Sequence, residues 1–145
     1  MLTARTVLVV EDDPLTLKAL TLAVRVAGCS ALAARDGASA LELLATSTAD
    51  LACLDLVLPD MDGVELARRI RERPNGAEII LVALSGRVAK LDEACMLSRG
   101  FRDVIEKPIE PSRLAQRLAR LLPTGLADAR SDIQGGRRLV DSPPR

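Results

Sequence analysis

The chain has 145 residues, 48% hydrophobic and 28% charged, with 20 basic residues balanced by 20 acidic ones. That length supports one core of ordinary size, and the composition is globular, neither disordered nor membrane-spanning. Zero net charge excludes a global field that would recruit nucleic acid or anionic lipid, and no apolar run is long enough for a signal peptide or a membrane span, so a cytoplasmic protein is expected.

Taken in chain order, short apolar runs alternate with amphipathic stretches. "TVLVV" (6–10) stops against Glu11, Asp12 and Asp13. A helical pattern starts after Asp13 and Pro14, puts Leu17, Leu20 and Val24 on one face, and ends near Gly28. "SALAA" (30–34) precedes a helix over 37–46. "DLACL" (50–54) leads to Asp55 and a helix over 63–72, closed by "RPNG". "EIILVAL" (78–84) runs into Ser85, before a helix over 87–99 that stops at Gly100. "RDVI" (102–105) leads to Lys107, and the last helix spans Pro111 to Leu122, with Pro123 just beyond. Runs rich in Val, Ile, Leu and Ala, without a polar face, suit strands buried on both sides of a parallel sheet. Strict alternation then predicts an α/β domain, an open sheet with helices on both faces.

Residues 1–122 are read as that domain. Residues 123–145, punctuated by Gly and Pro and without a sustained period, are read as a flexible tail with no output domain and room for a short helix near 124–130. Cys29, Cys53 and Cys95 form an odd, widely spaced set, expected to be buried thiols and not disulfides or metal ligands. Histidine is absent, which removes the commonest general base, and Phe101 is the sole aromatic.

The strand ends carry the chemistry. Glu11 and Asp12, Asp55, Ser85 and Lys107 each follow a predicted strand, and in an open parallel sheet those carboxyl ends share the edge where ligands bind. Singly, each is ordinary: an Asp after a strand commonly caps a helix, and Ser before Gly is turn chemistry. Together they place carboxylates close enough to repel one another, a conflict that a bound cation removes. Oxygen-only ligands favour a hard ion, Mg²⁺, with Mn²⁺ or Ca²⁺ as alternatives. Carboxylates, a Lys, a hydroxyl and a divalent ion form a set suited to phosphoryl transfer, with Asp55 as nucleophile, Glu11 and Asp12 on the metal, and Lys107 and Ser85 on the phosphoryl oxygens.

Four pieces, "VLVVEDDP", "LDLVLPDMDGVEL", "ALSG" and "EKP", with Ser85 thirty and Lys107 fifty-two residues after Asp55, closely resemble the receiver domain of two-component response regulators over roughly residues 5 to 122. The resemblance implies a flavodoxin-like five-stranded sheet of order 2-1-3-4-5 and a stand-alone, chemotaxis-type receiver. It implies that Asp55 accepts phosphate from a histidine kinase or histidine phosphotransfer protein. Asp12 and Asp55 would ligate Mg²⁺ (or Mn²⁺) directly, Glu11 through water, and Val57 through its backbone carbonyl. The Lys107–Pro108 bond would be cis. Such a chain is a phosphoacceptor that assists its own phosphorylation and dephosphorylation, not an enzyme on a separate substrate; its phosphorylation would switch protein–protein interactions with a downstream target.

The chain departs from the family at Val104, where receivers usually carry the aromatic residue that turns inward on phosphorylation. Valine has one stiff χ1 and no ring to swing, and Phe101, after Gly100, is poorly placed to replace it. Output is then expected through loop and helix-four rearrangement, or through a rewired role as phosphorelay intermediate, phosphate sink or phosphate-independent scaffold. In the last helix Leu114, Leu118 and Leu121 should pack on the sheet, with Arg113, Arg117 and Arg120 on a neighbouring stripe. That stripe is either a solvated face or a surface for a partner or for a homodimer built from helix 4, strand 5 and helix 5, with Asp92, Glu93 and Asp103 as cross-subunit acids. Direct nucleic-acid or membrane binding is not expected; "GGRR" (135–138) is too short a basic patch. A phosphotransferase with a second acid two residues after the nucleophile is disfavoured by Val57. A nucleotide-binding domain is disfavoured by the absence of a glycine-rich loop after strand one.

Overall fold

Apolar runs without a polar face can be buried only by pairing side by side and covering both surfaces. The computed structural model describes residues 5–86 and 90–122, apart from the side chains of 90–93. β1 (Thr6–Val10), β2 (Ser30–Ala34), β3 (Leu51–Asp55), β4 (Ile80–Ser85) and β5 (Phe101–Glu106) form one sheet in the order β2-β1-β3-β4-β5, each pairing parallel. The connections are α1 (Pro14–Val26), α2 (Gly37–Thr46), α3 (Gly63–Arg71), α4 (Lys90–Ser98) and α5 (Pro111–Leu121). Helices cover both sheet faces, and the expected flavodoxin-like fold is the one observed. Among the described residues no helix is long and apolar enough to cross a membrane.

Strand alternation divides the core in two. Val7 and Val9 of β1, Leu51 and Cys53 of β3, Val82 and Leu84 of β4 and Ile105 of β5 pack against Leu17, Leu20 and Val24 of α1 and Leu114 and Leu118 of α5. The intervening positions, Leu8, Val10, Ala52, Leu54, Leu81 and Ala83, pack against Leu66, Ala67 and Ile70 of α3 and Ala40 of α2. β5 breaks the rule. Leu81 aligns with Phe101 but Val82 with Asp103, so Arg102 is an extra residue. Such a bulge lets residues three apart share one face, and Phe101 joins Val104 in the α2/α3 cluster. Phe101 is thus a buried strand residue, where the sequence reading left it at a helix end.

Helix ends follow the capping residues that mark them. Asp13, Asp36 and Asp62 accept from the N–H groups of Thr16, Ser39 and Glu65, and Pro14 and Pro111 occupy first-turn positions where no N–H is needed. Gly28 takes φ +90°, closing α1 in the left-handed region. Several boundaries move. Glu78 and Ile79, expected in strand four, belong instead to a 3-10 turn (Gly76–Glu78) and its exit, and Leu121 is partly buried while Leu122, past the helix, packs in the core. The predicted start of helix four at 87 and the tail from 123 lie outside the described residues. Of the three cysteines only Cys53 is fully buried, its thiol pushed up to about 12 by desolvation; Cys29 is half-buried and Cys95 exposed, because α4 turns Cys95 away from the sheet.

The 3-10 turn is held by Arg71, whose guanidinium donates to the carbonyls of Gly76 at 2.7 Å, Ile79 at 2.6 Å and Gly100 at 3.3 Å. The backbone there is tight: a Cβ on residue 76 would lie 1.9 Å from the Ile70 carbonyl oxygen. Gly76→Ala is therefore expected to destabilise the fold by about 1–3 kcal/mol, read as a lower urea midpoint with unchanged slope.

Candidate functional site

The strand registers form a staircase along the carboxyl edge. Val10, before Glu11, aligns with Leu54, before Asp55; Asp55 aligns with Leu84, before Ser85; Ser85 aligns with Glu106, before Lys107. Strand order reverses direction between β1 and β3, which is where an open α/β sheet leaves its crevice. All five residues singled out from the sequence are brought to that edge. Glu11 is 1% exposed and Asp55 4%; Ser85 is buried, Asp12 exposed and Lys107 half-buried.

Lys107 is the hub. Its ammonium hydrogen-bonds Asp55 Oδ2 at 3.0 Å and lies 2.5 Å from Glu11 Oε1 as an ion pair. Its backbone N–H donates to the Ser85 carbonyl at 2.7 Å, and the Lys107–Pro108 bond is cis. Burial opposes the Lys107 charge, but the carboxylates of Glu11 and Asp55 outweigh it and raise its pKa. Glu11 shifts the same way for the opposite reason: burial raises its pKa, with Asp55 adding repulsion, and neither Lys107 nor the Asp13 N–H offsets it fully. Asp55 Oδ1 accepts from the Val57 N–H at 3.0 Å. Asp13, the third acid after β1, is not in this set. It caps α1, and hydrogen bonds from the Thr16 hydroxyl and N–H hold its carboxyl low.

The donor set fits a hard divalent cation. Oxygens of Glu11, Asp12 and Asp55 lie within 4.8 Å of one another. Glu11 Oε1, although beside the ammonium, is the buried side-chain oxygen among the described residues that lacks a well-directed hydrogen bond. Carboxylate oxygens without nitrogen or sulfur ligands select Mg²⁺-type ions.

The remaining predicted positions lie apart from this cluster. Val57 exposes its side chain beside the crevice, and Val104 is buried among the core residues of the α2/α3 face. Arg113 and Arg120 are exposed on α5. Asp103, expected to meet a second copy, is already engaged: Arg117 of its own chain binds it at 2.5 Å, because the bulge turns Asp103 toward α5. Asp92 and Glu93 lie outside the described side chains. Sequence reading gave Asp60 no role of its own, yet its carboxylate binds the first N–H groups of α2.

An open parallel sheet of this order, with an acidic crevice and one ammonium at its switch point, defines a flavodoxin-like domain equipped for a cation and an anionic group. The chain belongs to the response regulator receiver domain family, whose model matches residues 7–119. It is 35% identical over 108 residues to an "Uncharacterized 14.6 kDa protein in sodA1 3'region" of Leptolyngbya boryana, covering 74% of this chain and 82% of that one. It is 36% identical over 116 residues to the transcriptional regulatory protein CseB of Streptomyces coelicolor, covering 80% of this chain and 48% of that protein. The chain thus spans about half the length of the transcriptional regulators it matches. In fold it is similar to the chemotaxis response regulator CheY4 of Vibrio cholerae, with a TM-score of 0.77 at 23% identity over 83% of this chain and 100% of that one. It is a two-component receiver, and receivers are phosphoacceptors that bind Mg²⁺ at an acidic pocket and interact with histidine kinases.

Removing the ammonium leaves two buried carboxylates facing each other. Lys107→Met is expected to cost about 1–3 kcal/mol in metal-free buffer, measured by urea denaturation. A raised lysine pKa contributes stability that is present below the ordinary lysine value of 10.5 and lost as pH rises through the folded value. The difference between wild type and Lys107→Met should therefore persist through neutral pH, shrink in alkali as Lys107 loses its proton, and shrink in acid as Glu11 gains one.

Proposed function

We propose that this receiver is a phosphorylation switch in which a histidine kinase or histidine phosphotransfer protein phosphorylates Asp55 with the help of Mg²⁺, and the phosphorylated domain changes its binding to a downstream protein in the cytoplasm. The observation that carries this reading is the buried Asp55 carboxylate, 3.0 Å from the Lys107 ammonium and within 4.8 Å of the Glu11 and Asp12 oxygens. Asp12, Asp55, Glu11 and the Val57 carbonyl would hold the ion, which supplies positive charge to the transferring group. Asp55 is the nucleophile: its oxygen forms the new P–O bond as the phosphorus–nitrogen bond of the donor breaks, and the leaving imidazole keeps the electron pair. Lys107 would move its charge from the carboxylates to the phosphoryl oxygens, and the Ser85 hydroxyl would donate to one of them. Positioning and charge neutralisation are what this reaction requires of the protein.

Output has to start from the same movement. Shifting a two-state receiver from mostly inactive to mostly active takes about 5 kcal/mol of differential interaction, which a dianion bound by Lys107, Ser85 and a cation is chemically able to provide. With Val104 packed in the core, transmission runs through the β4–α4 connection and α4. A homodimer through α4, β5 and α5 would use exposed Arg113 and Arg120, since Arg117 and Asp103 satisfy each other.

A protein donor must reach Asp55 over the groove beside Lys107, lined by Leu15, Thr16, Ala19, Pro108 and Ile109. Leu15 is 78% exposed at its rim. Incubation with acetyl phosphate and Mg²⁺ is expected to add one phosphoryl group by intact mass, lost in Asp55→Asn and in EDTA; no adduct on the wild type refutes the reading. Leu15→Asp should leave labelling by acetyl phosphate unchanged but slow transfer from a histidine-phosphorylated donor protein about tenfold, equivalent to about 1.4 kcal/mol of docking energy.

A further inference from the structure

The segment between Asp55 and α3 is pinned at its tip by a helix to which it does not belong. The first turn of a helix presents N–H groups without intrahelical acceptors. In α2 the Ser39 N–H is met by Asp36 at 2.7 Å, but those of Gly37 and Ala38 go to Asp60, 23 and 22 residues away, one to each carboxylate oxygen at 2.9 Å. The anion sits at the positive end of α2, where the helix dipole favours it, and the Gly37 bond holds the Asp60 carboxyl below its usual range. Met61 closes the contact: its Sδ, Cε and Cγ lie 2.6, 2.7 and 2.8 Å from where a Cβ on residue 37 would stand. At its base the same segment is tied to the site. Val57 donates to Asp55 Oδ1 and bridges to Asp62, and the Gly63 N–H donates to the Leu56 carbonyl at 3.0 Å. Val57–Met61 is thus a loop clamped at both ends.

We infer that Asp60 is a positioning residue: by tying the loop tip to the α2 N-terminus it holds the Val57 backbone where its carbonyl completes the oxygen set of Glu11, Asp12 and Asp55, so that Mg²⁺ affinity depends on a carboxylate that does not touch the ion. This rests on the reading of Val57 and the three acids as the metal ligands. Asp60 itself is outside the cluster of converging acids. Partners of this kind around a metal site typically change affinity by about 10-fold or more when removed.

The test is calorimetric titration of the unphosphorylated full chain with MgCl₂, beside thermal melts. Asp60→Asn keeps the size but loses the charge and sets an amide against an N–H donor; it should weaken Mg²⁺ binding about tenfold. Asp36→Ala removes the helix's own cap without touching the loop, and should lower the melting temperature while leaving Mg²⁺ affinity unchanged. Gly37→Ala, which displaces Met61 and keeps both carboxylates, should weaken binding as well and serves if Asp60→Asn does not fold. Wild-type affinity in Asp60→Asn, equal weakening by Asp36→Ala, or no Mg²⁺ binding by the wild type overturns the inference. A wild type that binds Mg²⁺, with Asp60→Asn weakened, but takes no phosphoryl group from acetyl phosphate refutes Asp55 as acceptor and leaves the inference standing.

Discussion

One ammonium held between two buried carboxylates organises this molecule. Glu11 and Asp55 end neighbouring strands of a parallel sheet, and burial of both would be prohibitive without a counter-charge. Lys107 supplies it from the far end of β5, fifty-two residues after Asp55, its backbone pinned to Ser85 on the intervening strand. The pairing is deliberately incomplete in the chemical sense: three acids meet one base, and Glu11 keeps an oxygen without a directed hydrogen bond. Such a charge set leaves negative charge in the free protein that one ammonium does not balance.

The sheet around this point is rigid because its central strands are buried on both faces by side chains that alternate between two cores. The β3–α3 loop is itself restrained, at Asp55 by Val57 and at α2 by Asp60, so the Asp55 side of the crevice is fixed on two elements.

The bulge at Arg102 has two consequences. It puts Phe101 beside Val104 under the α2/α3 face, so the bulk of the aromatic side chain is present in that core but at the start of β5, away from Ser85. It also turns Asp103 toward α5, where Arg117 takes it. Both features follow from one extra residue in one strand.

Much of this was legible in the residues. Short apolar runs and amphipathic stretches marked the strands and helices, because a buried strand needs apolar side chains throughout and a covering helix needs them on one face. Asp13, Pro14 and Pro111 marked helix starts, because orphan N–H groups need acceptors at short range and proline has no N–H to satisfy. The residues of the site were also readable, since each follows a strand and a parallel sheet collects those ends. What the residues did not reveal were contacts with no period and no local partner: Asp60 reaching α2, Arg71 gathering three carbonyls, and the bulge that redirects Phe101 and Asp103. Local sequence determines which surfaces must be buried and where helices begin. Which distant donor meets which acceptor was decided only when the packed sheet set the distances between loops that the chain itself keeps far apart.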